Sequence, residues 1–510
     1  MAVLSPVNLV LLPLAYITYK ILHQVIRYRF NHPLNQFPGP WLASVTRLWI
    51  TYHSVKADEC QTLGELHRRH GPVVRITPTM LHVSDATKLP EIYSRNADKS
   101  QHYITGSFGA TESLFNMQDH KVHAHFRKIA ASPYSFSNVK KMEPLIDANI
   151  ERWIHRLDEL FASTGRKFDF APWAVYMAYD IISEVGFGQP FGFIEQGKDV
   201  EGLIQGFHEG LVPFGIMSRL WPFTNWVKTT FLGRYLVASP EQDSGIGTLM
   251  RFRDRLISQR IADNEKAGGN SGGRVDLLQT FLEARDDQGR PLDLAYVKAE
   301  ILLVLLAGAD TTGTTFQAFF MHVMSHPDVY ERLMAEVDAA TAAGKLSSPT
   351  PRYDEVQAHC PYYIACVRET MRLNPAAPNI FPRLAPAGGV DLYGIRVPEG
   401  TELTCNPWIV HRDPAVVGDD PHRFRPERWL EDDDRAKAML RYNMSFGYGA
   451  RECLGKHIAM MELFKAPIQF FRTFKPAILD KANPGRYLVK GGVSYFEDMW
   501  IKIERRARVE

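Results

Sequence analysis

A single cysteine near the C-terminus lies in a glycine-rich segment where its thiol could do chemistry. The segment reads FGYGARECLG from Phe446 to Gly455, and Cys453 stands two residues after Arg451. Glycines let a backbone turn tightly and approach a flat ligand, because no Cβ stands in the way. A helix that starts just after Cys453 would direct its N-terminal N–H groups towards the sulfur and favour the thiolate. The thiol could therefore be a nucleophile or a metal ligand, and a buried, unreactive cysteine is the third interpretation.

A polar pair interrupts the longest apolar segment of the chain. The helical pattern begins at the N-cap residue Asp293 and runs to Ser325 as one long helix. Its interior, Ile301–Leu306, is apolar all round, which predicts a buried central helix. The sequence AGADTT follows and places Asp310 and Thr311 in a helix where a glycine and an acid both cost stability. Such a break indicates a functional site, and the alternative is a kink in which Thr311 bonds to the carbonyl four residues earlier.

Two charged residues share one face of a later predicted helix. Glu369 and Arg372 stand three residues apart within the helical pattern Tyr353–Leu373, a spacing that brings two side chains together. On a protein surface such a pair would contribute little to stability. The role of this pair therefore depends on whether the rest of the chain buries it.

Helical patterns dominate the chain and supply the elements that position these residues. Apolar residues recur at three- and four-residue spacing over residues 142–161, 171–186, 204–232 and 330–342. Strand patterns are short: residues 73–76 and 81–83 form a predicted hairpin, and further strands lie at 390–393, 395–397 and 401–405. The sequence therefore predicts a mainly α fold with a small β region.

The composition limits the class of protein. The chain has 510 residues and 45% apolar content, which is enough for a large core. Its formal net charge is +2 and its basic residues are dispersed, so no nucleic-acid partner is expected. The five cysteines include no C-x-x-C pair, which argues against a disulfide framework or a zinc site and suits a reducing compartment.

Residues 1–30 are mostly apolar and predict a membrane anchor. The stretch from Val3 to Ile26 reaches the length of about 20 residues that a spanning helix needs, if Lys20 extends to the interface. Lys20, Arg27 and Arg29 all lie on the C-terminal side, which predicts a single-pass anchor with the main body in the cytosol. A helix that lies in the membrane surface is the alternative.

Four short segments stand in the order found in one enzyme family. They read AGADTT at 307–312, ETMR at 369–372, PERW at 426–429 and FGYGARECLG at 446–455. Together they resemble the signatures of the cytochrome P450 family, with Trp429 where the family has phenylalanine. The resemblance implies a cytochrome P450 catalytic domain over residues 31–510, after the anchor. The segment Gly71–Pro78 and the proline hinge after the anchor look most like fungal members, such as the pisatin demethylase-like enzymes.

The resemblance implies a haem b cofactor and assigns residues to it. Cys453 would be the metal ligand, the axial thiolate of the haem iron. Asp310 and Thr311 would be catalytic and would relay protons during oxygen activation. The other positions that match haem contacts of the family in the central helix and the cysteine loop are Ala307, Gly308, Phe446 and Gly455.

Charged residues take two further roles by the same resemblance. The positions that match contacts of the haem propionates are Arg127, Arg383 and Arg451. His123 stands where many members have tryptophan, and its imidazole N–H could also reach a carboxylate. A buried structural triad that holds the cysteine loop would consist of Glu369, Arg372 and Arg428.

The substrate contacts implied by the resemblance are largely apolar. They would come from residues 103–115, 207–231, the central helix, residues 376–381 and the turn at 491–494. The aromatic residues in these segments include Phe108, Phe115, Phe316 and Phe381. A hydrophobic and fairly large substrate is therefore expected.

The function implied is that of a haem-thiolate monooxygenase, which inserts one oxygen atom of O2 into a hydrophobic small molecule. Too few residues follow Cys453 for a flavin domain, so electrons would come from a separate NADPH–cytochrome P450 reductase. The expected setting is fungal secondary metabolism at the endoplasmic reticulum membrane, with the catalytic domain in the cytosol. Peroxide rearrangement, nitric oxide reduction and a non-catalytic haem-binding sensor are the alternatives.

Overall fold

Helices make up most of the structure, a computed structural model that describes residues 6–103, 109–242, 245–268 and 276–507. The helices of the first half are α1 Pro6–Val25, α2 Trp41–Val45, α3 Leu48–Lys56, α4 Glu59–His70, α5 Leu89–Ile92, α6 His120–Ala130, α7 Phe136–Lys141, α8 Glu143–Leu157, α9 Phe170–Phe187, α10 Phe193–Gln196, α11 Leu203–Arg219, α12 Trp221–Lys228 and α13 Ile246–Lys266. Those of the second half are α14 Leu277–Glu283, α15 Leu294–Ala307, α16 Asp310–Ser325, α17 Pro327–Ala342, α18 Tyr353–His359, α19 Pro361–Leu373, α20 Pro407–Val410, α21 Pro414–Val417, α22 Asp433–Arg441 and α23 Lys456–Thr473.

Short strands form small sheets beside the helices. They are β1 Val73–Thr77, β2 Met80–Val83, β3 Phe168–Asp169, β4 Arg383–Leu384, β5 Val390–Leu392, β6 Ile395–Val397, β7 Glu402–Thr404, β8 Phe474–Ile478, β9 Arg486–Lys490, β10 Val493–Glu497 and β11 Trp500–Arg505. The sheets have the orders β1-β2-β7-β4 and β3-β11-β8, with β9-β10 and β5-β6 as separate pairs. This architecture confirms the mainly α fold class and the hairpin at 73–83, whereas β8 to β11 were not predicted from the sequence.

The core lies where α16 packs against α9, α19 and α23. Its centre is aromatic, since Trp153, Phe170 and Phe316 are buried and the Phe316 ring centroid lies 5.7 Å from Trp153 and 5.2 Å from Phe170. Gly313 brings α16 close to α9, because a Cβ there would lie 2.9 Å from the Cα of Val175. Phe316 therefore belongs to the core and not to a substrate surface, which corrects the expectation from its position in the central helix.

The predicted central helix is two helices. α15 ends at Ala307 and α16 begins at Asp310, so the prediction of one continuous helix is wrong at the AGADTT segment. The Thr311 hydroxyl donates to the carbonyl of Ala307 at 2.9 Å, and the Thr312 hydroxyl lies 3.5 Å from that of Gly308. In a continuous helix these carbonyls would accept from backbone N–H groups. The side-chain hydroxyls compete for them, which is the kink named above as the alternative.

A side chain of the N-terminal helix α1 bonds to the body of the protein. The Gln24 amide donates to the backbone oxygen of Val45 in α2 at 2.5 Å. Across the described part of the chain, every helix falls short of either the length or the apolarity needed to cross a membrane. The single-pass anchor predicted for residues 1–30 is therefore not confirmed, and residues 1–5 lie outside the described residues.

Candidate active site

The loop before Cys453 adopts tight turns that depend on its glycines. Gly447 and Gly449 have φ angles of +76° and +69°, a region that side chains rarely adopt. A Cβ on Gly449 would also lie 2.5 Å from the carbonyl oxygen of Tyr93. The backbone at these two positions therefore has to be glycine for the loop to reach this conformation.

The sulfur of Cys453 faces the N-terminus of α23. The Cys453 N–H donates to the Phe446 carbonyl at 2.8 Å and closes the loop, and α23 begins directly after Gly455. Burial raises the pKa of the Cys453 thiol, while the backbone N–H of Gly455, the Arg127 guanidinium and the backbone N–H of Lys456 act in the opposite direction. The loop thus holds a deep sulfur with donors directed at it, as expected from the helix that follows.

Several residues around this sulfur are exposed although the elements to which they belong are mostly buried. Cys453 is exposed although it lies deep in the protein. Ala307 at the end of α15 is also exposed, and Gly308 and Thr311 are partly exposed, while most of α15 is buried. A flat, largely apolar ligand that lies between the broken helix and the cysteine loop would cover this surface.

Four cations lie close together beside the site, and none of them has an ion-pair partner within the described structure. They are Lys99, Arg127, Arg383 and Arg451, and each of the other three lowers the pKa of Lys99 after burial, the largest cause. Arg451 donates to the carbonyls of Met117 and Gln118 at 2.7 and 2.6 Å, and Lys99 to that of Phe115 at 2.6 Å. Arg383 donates to the Tyr103 hydroxyl at 2.9 Å. Partly buried positive charge of this kind calls for a dianionic ligand, which is what the two propionates of a haem supply.

His123 lies among these cations as a neutral donor. It is buried, and its pKa is lowered to about 3 by burial and then by Arg451, Lys99, Arg127 and Arg383. A neutral imidazole offers one N–H and can donate to a carboxylate without adding charge. The structure therefore brings together His123, Arg127, Arg383 and Arg451, and it adds Lys99, which the sequence did not single out.

Asp310 is buried and both of its carboxylate oxygens have partners. The Tyr179 hydroxyl donates to Oδ2 at 2.8 Å, and Nε2 of His208 lies 2.8 Å from Oδ1. Thr311 is partly exposed instead, with its hydroxyl on the carbonyl of Ala307. No hydrogen bond joins the side chains of Asp310 and Thr311 in the described structure, so the neighbouring residues of the predicted catalytic pair face different surroundings.

The carboxylate of Glu369 is the centre of a buried ionic cluster. Arg372 binds it with two donors at 2.8 Å, and Arg428 Nε donates to Oε1 at 2.9 Å. All three side chains are at most 2% exposed. Trp429, which replaces the family's phenylalanine, donates its indole N–H to Oε2 at 3.0 Å, and Arg428 also pairs with Asp420 at 2.8 Å. These partners hold the pKa of Glu369 below its usual value against burial, the largest cause.

His411 connects the Glu369 cluster to the cysteine loop. Arg372 donates to the backbone carbonyl of His411 at 2.9 Å, and Nε2 of His411 accepts from the backbone N–H of Met444 at 2.8 Å. Burial lowers the pKa of His411 to about 3, so the ring is neutral and can accept at Nε2. The position of the chain just before Phe446 thus depends on Glu369 through two further residues.

Comparisons with known proteins agree with this arrangement. The profile of the family described as Cytochrome P450 matches residues 38–493. The chain belongs to the cytochrome P450 family. It is 36% identical to quiannulatic acid synthase of Emericella variicolor over 461 residues, which cover 89% of this chain and 90% of that protein. It is 34% identical to the cytochrome P450 monooxygenase gsfF of Penicillium aethiopicum, with 89% and 90% covered, and 32% identical to cicH of Emericella nidulans, with 86% and 87% covered.

The comparisons confirm the predicted cytochrome P450 monooxygenase, and the family implies a haem-thiolate iron cofactor. When bound, that cofactor supplies the activation of O2 by a thiolate-ligated iron. The residues of this P450 fit the group: a deep sulfur, exposed surface on the broken helix and a cluster of cations without counter-ions. Cys453 would hold the iron, and the cations with His123 would hold the propionates.

Sequence reasoning missed four partners of the predicted residues. They are Lys99, Tyr179, His208 and His411. Each lies outside the four signature segments, and an isolated lysine, tyrosine or histidine gives no sign of burial in a sequence. Only Lys99 could have been suspected, since it lies in a long loop rich in aromatic residues and glycine.

Removal of Arg428 should strongly destabilise this P450. Arg428→Met leaves the buried Glu369 carboxylate with one cation fewer, and we expect the free energy of unfolding to fall by about 3–5 kcal/mol. Urea denaturation of the haem-loaded protein measures this change. Arg332→Met is the matched control, because the exposed Arg332 also pairs with a glutamate, Glu427 at 3.1 Å, and should cost less than about 1 kcal/mol. Equal losses in both variants would contradict a special role of the cluster.

Proposed function

We propose that this P450 hydroxylates or otherwise oxidises a hydrophobic small molecule in fungal secondary metabolism, with haem b as its cofactor. The observation that carries the proposal is the exposed sulfur of Cys453 beside four cations that lack ion-pair partners in the described structure. Iron protoporphyrin IX carries two propionates, and their negative charges match these cations. The relatives support the setting, because they come from Emericella and Penicillium and one is named for the synthesis of an organic acid.

The roles of the residues follow from their surroundings. Cys453 binds the iron as a thiolate, and the N–H groups at the start of α23 stabilise its charge. Thr311 presents its hydroxyl at the partly exposed end of α16, where it orients a proton donor towards the reacting oxygen. Asp310, which is buried, passes protons to the region of the Thr311 hydroxyl. Glu369, Arg372 and Arg428 keep the cysteine loop in place and take no part in the chemistry.

The substrate surface is formed by loops above the broken helix. Phe115, Ala376, Ala377 and Phe381 are partly exposed, in agreement with apolar contacts from the segments assigned by the family resemblance. Residues 104–108, which include Phe108, lie outside the described residues. The turn between β9 and β10 contributes Gly491, where a Cβ would lie 2.0 Å from the backbone oxygen of Leu211 in α11. A hydrophobic substrate fits these side chains.

Electrons come from a separate NADPH–cytochrome P450 reductase in this proposal. The basic residues considered from the sequence are Lys128, Lys140, Lys141 and Lys456. Lys140 and Lys456 are paired with Asp354 and Glu452, so their charge is partly neutralised. Lys128 pairs with Asp287 at the longer distance of 3.6 Å and is 77% exposed, so an acidic partner can compete for it.

The P450 rests on the cytosolic face of the endoplasmic reticulum membrane in this proposal, with α1 lying in the surface. Support comes from large apolar side chains that are exposed on neighbouring elements. On α1 they are Leu11, Leu12, Leu14, Tyr16, Tyr19, Ile21 and Leu22, and on α2, α3 and α12 they are Trp41, Leu42, Leu48, Tyr52, Phe223 and Trp226. The Arg47 guanidinium lies 5.0 Å from the Trp221 ring centroid and joins the α2–α3 region to α12.

Cys453→Ser should remove the thiolate signature of the bound haem. The reduced, CO-treated protein should lose the red-shifted Soret band, because a hydroxyl does not replace the thiolate as an axial donor. The difference spectrum measures this loss. Cys360→Ala, a buried cysteine outside the loop, should keep the band. A normal spectrum from Cys453→Ser would overturn the assignment of the ligand.

Thr311→Ala should separate oxygen consumption from productive oxidation. Loss of the hydroxyl removes a proton donor beside the haem, so a larger share of NADPH electrons should be recovered as hydrogen peroxide. Peroxide and NADPH are measured together with purified reductase. Thr315→Ala, one turn later on α16 and bonded to the Thr311 carbonyl at 2.8 Å, is the control. Equal peroxide shares in both variants would show that Thr311 takes no part in proton delivery. The absence of NADPH-dependent turnover in the wild type would instead favour a haem-binding sensor.

Removal of residues 1–30 should weaken membrane binding without loss of haem. The remaining apolar side chains on α2, α3 and α12 keep part of the contact, so additional Trp41→Ser, Phe223→Ser and Trp226→Ser changes should abolish it. Sedimentation with phosphatidylcholine vesicles measures binding, and the Soret absorbance reports the haem. Unchanged sedimentation of the combined variant would show that other surfaces bind lipid.

A further inference from the structure

The two partners of the Asp310 carboxylate differ in their chemistry. Tyr179 and His208 lie 2.8 Å from its two oxygens. Burial and then the charge of Asp310 raise the pKa of Tyr179 well above its ordinary value, so this phenol stays protonated and is a fixed donor. An imidazole can gain and lose a proton near neutral pH. His208 therefore offers a second ring nitrogen, Nδ1, besides the Nε2 that faces Asp310.

His208 links the buried acid to surface that water can reach. The side chain of Asp310 is 1% exposed, whereas that of His208 is 25% exposed. Asp310 begins α16 and His208 lies within α11, so the contact joins two helices that are distant in the sequence. Since Tyr179 is also buried, the exposed part of this three-residue chain lies at the imidazole.

The His208 ring is held in the orientation that the contact requires. Tyr495 of β10 stacks on it, with ring centroids 4.3 Å apart and planes inclined by 20°. The Lys490 ammonium lies 5.4 Å from the centroid of the same Tyr495 ring. Because a carboxylate oxygen only accepts hydrogen bonds, Nε2 of His208 carries a hydrogen and Nδ1 is the position that can take up a proton.

We propose that His208 delivers protons from water to Asp310, which passes them on for the activation of O2. The proposal rests on the proposed role of Asp310 in proton transfer. A proton from water binds Nδ1 and makes the ring a cation, and the proton on Nε2 then passes to Oδ1 of Asp310. This leaves a neutral ring and a protonated carboxyl, so one proton has moved inward. Once Asp310 has passed its proton on, water returns a proton to Nε2 and takes one from Nδ1, which restores the tautomer that donates from Nε2.

A glutamine at position 208 separates proton delivery from positioning. His208→Gln keeps an amide N–H that can donate to Asp310, but an amide does not take up a proton near neutral pH. Asp310→Asn removes the acid itself. His125→Gln is the matched control, because His125 is exposed and pairs with Asp287 at 3.2 Å, away from Asp310. Haem content and thermal unfolding show whether each variant is folded.

The first measurement does not depend on turnover. In the CO-bound ferrous protein labelled with ¹⁵N-histidine, one hydrogen-bonded Nε2–H signal should be absent from His208→Gln and should shift in Asp310→Asn. An Nε2–H signal of His208 that is unchanged in Asp310→Asn would overturn the proposal. If His208→Gln does not fold, the wild type and Asp310→Asn still decide the matter, because a spectrum of Asp310→Asn with every histidine signal unchanged would overturn the proposal.

The second measurement uses O2 as the only acceptor, since the organic substrate is unidentified. At saturating reductase, NADPH oxidation by His208→Gln should fall roughly a hundredfold, the lower end of the range that a general acid contributes, and its solvent isotope effect in D2O should rise. His125→Gln should match the wild type. Slow oxidation by Asp310→Asn with a normal rate in His208→Gln would overturn the role of His208 alone. Normal rates in both variants would overturn the proposed role of Asp310 and this inference with it.

Discussion

The buried carboxylate of Glu369 is the interaction on which the haem-binding side of this P450 depends. It accepts hydrogen bonds from Arg372, Arg428, Trp429 and the backbone N–H of Arg425, so one anion ties α19 to the PERW segment. The cluster is costly to bury, and it repays that cost only because all its donors and acceptors are matched. The indole of Trp429 adds a donor that the phenylalanine of the family signature lacks. From there His411 carries the constraint to the chain that leads into the cysteine loop.

Beside the cysteine loop, by contrast, four cations lie together without acidic partners among the described residues. Lys99, Arg127, Arg383 and Arg451 repel one another in the protein alone: burial, and then the charges of the three arginines, lower the pKa of Lys99. Lys99, Arg383 and Arg451 are held by backbone carbonyls and by the Tyr103 hydroxyl, not by acids. A dianionic ligand that binds only the folded state would therefore add its binding free energy to the stability of the fold. The Glu369 cluster is complete without a ligand, whereas this cation cluster is completed by one.

The sequence predicted those parts of the site that have local signatures, and it failed where a partner comes from elsewhere in the chain. FGYGARECLG predicted the turns at Gly447 and Gly449 and the helix after Cys453, because glycine and helix-start chemistry are local. The triad residues Glu369, Arg372 and Arg428 could be named from the family resemblance. His208 and Tyr179 could not, since nothing in their own neighbourhoods shows that they meet Asp310. The prediction of a continuous central helix was wrong, because side-chain hydroxyls competed for its carbonyls. The apolar periodicity of a sequence does not show this competition.

The break between α15 and α16 divides the centre of the molecule into two helices that both contact α9 but otherwise pack against different elements. α16 is fixed to α9 at Gly313, where the helices are too close to slide, and Tyr179 of α9 also holds Asp310. Across the break, the hydroxyls of Thr311 and Thr312 bond to the carbonyls of Ala307 and Gly308. Asp310 is thus held by Tyr179 of α9, whereas the hydroxyl of its neighbour Thr311 is bonded to the last residue of α15. A change in the position of α15 would therefore reach the Thr311 hydroxyl before it reaches the Asp310 carboxylate.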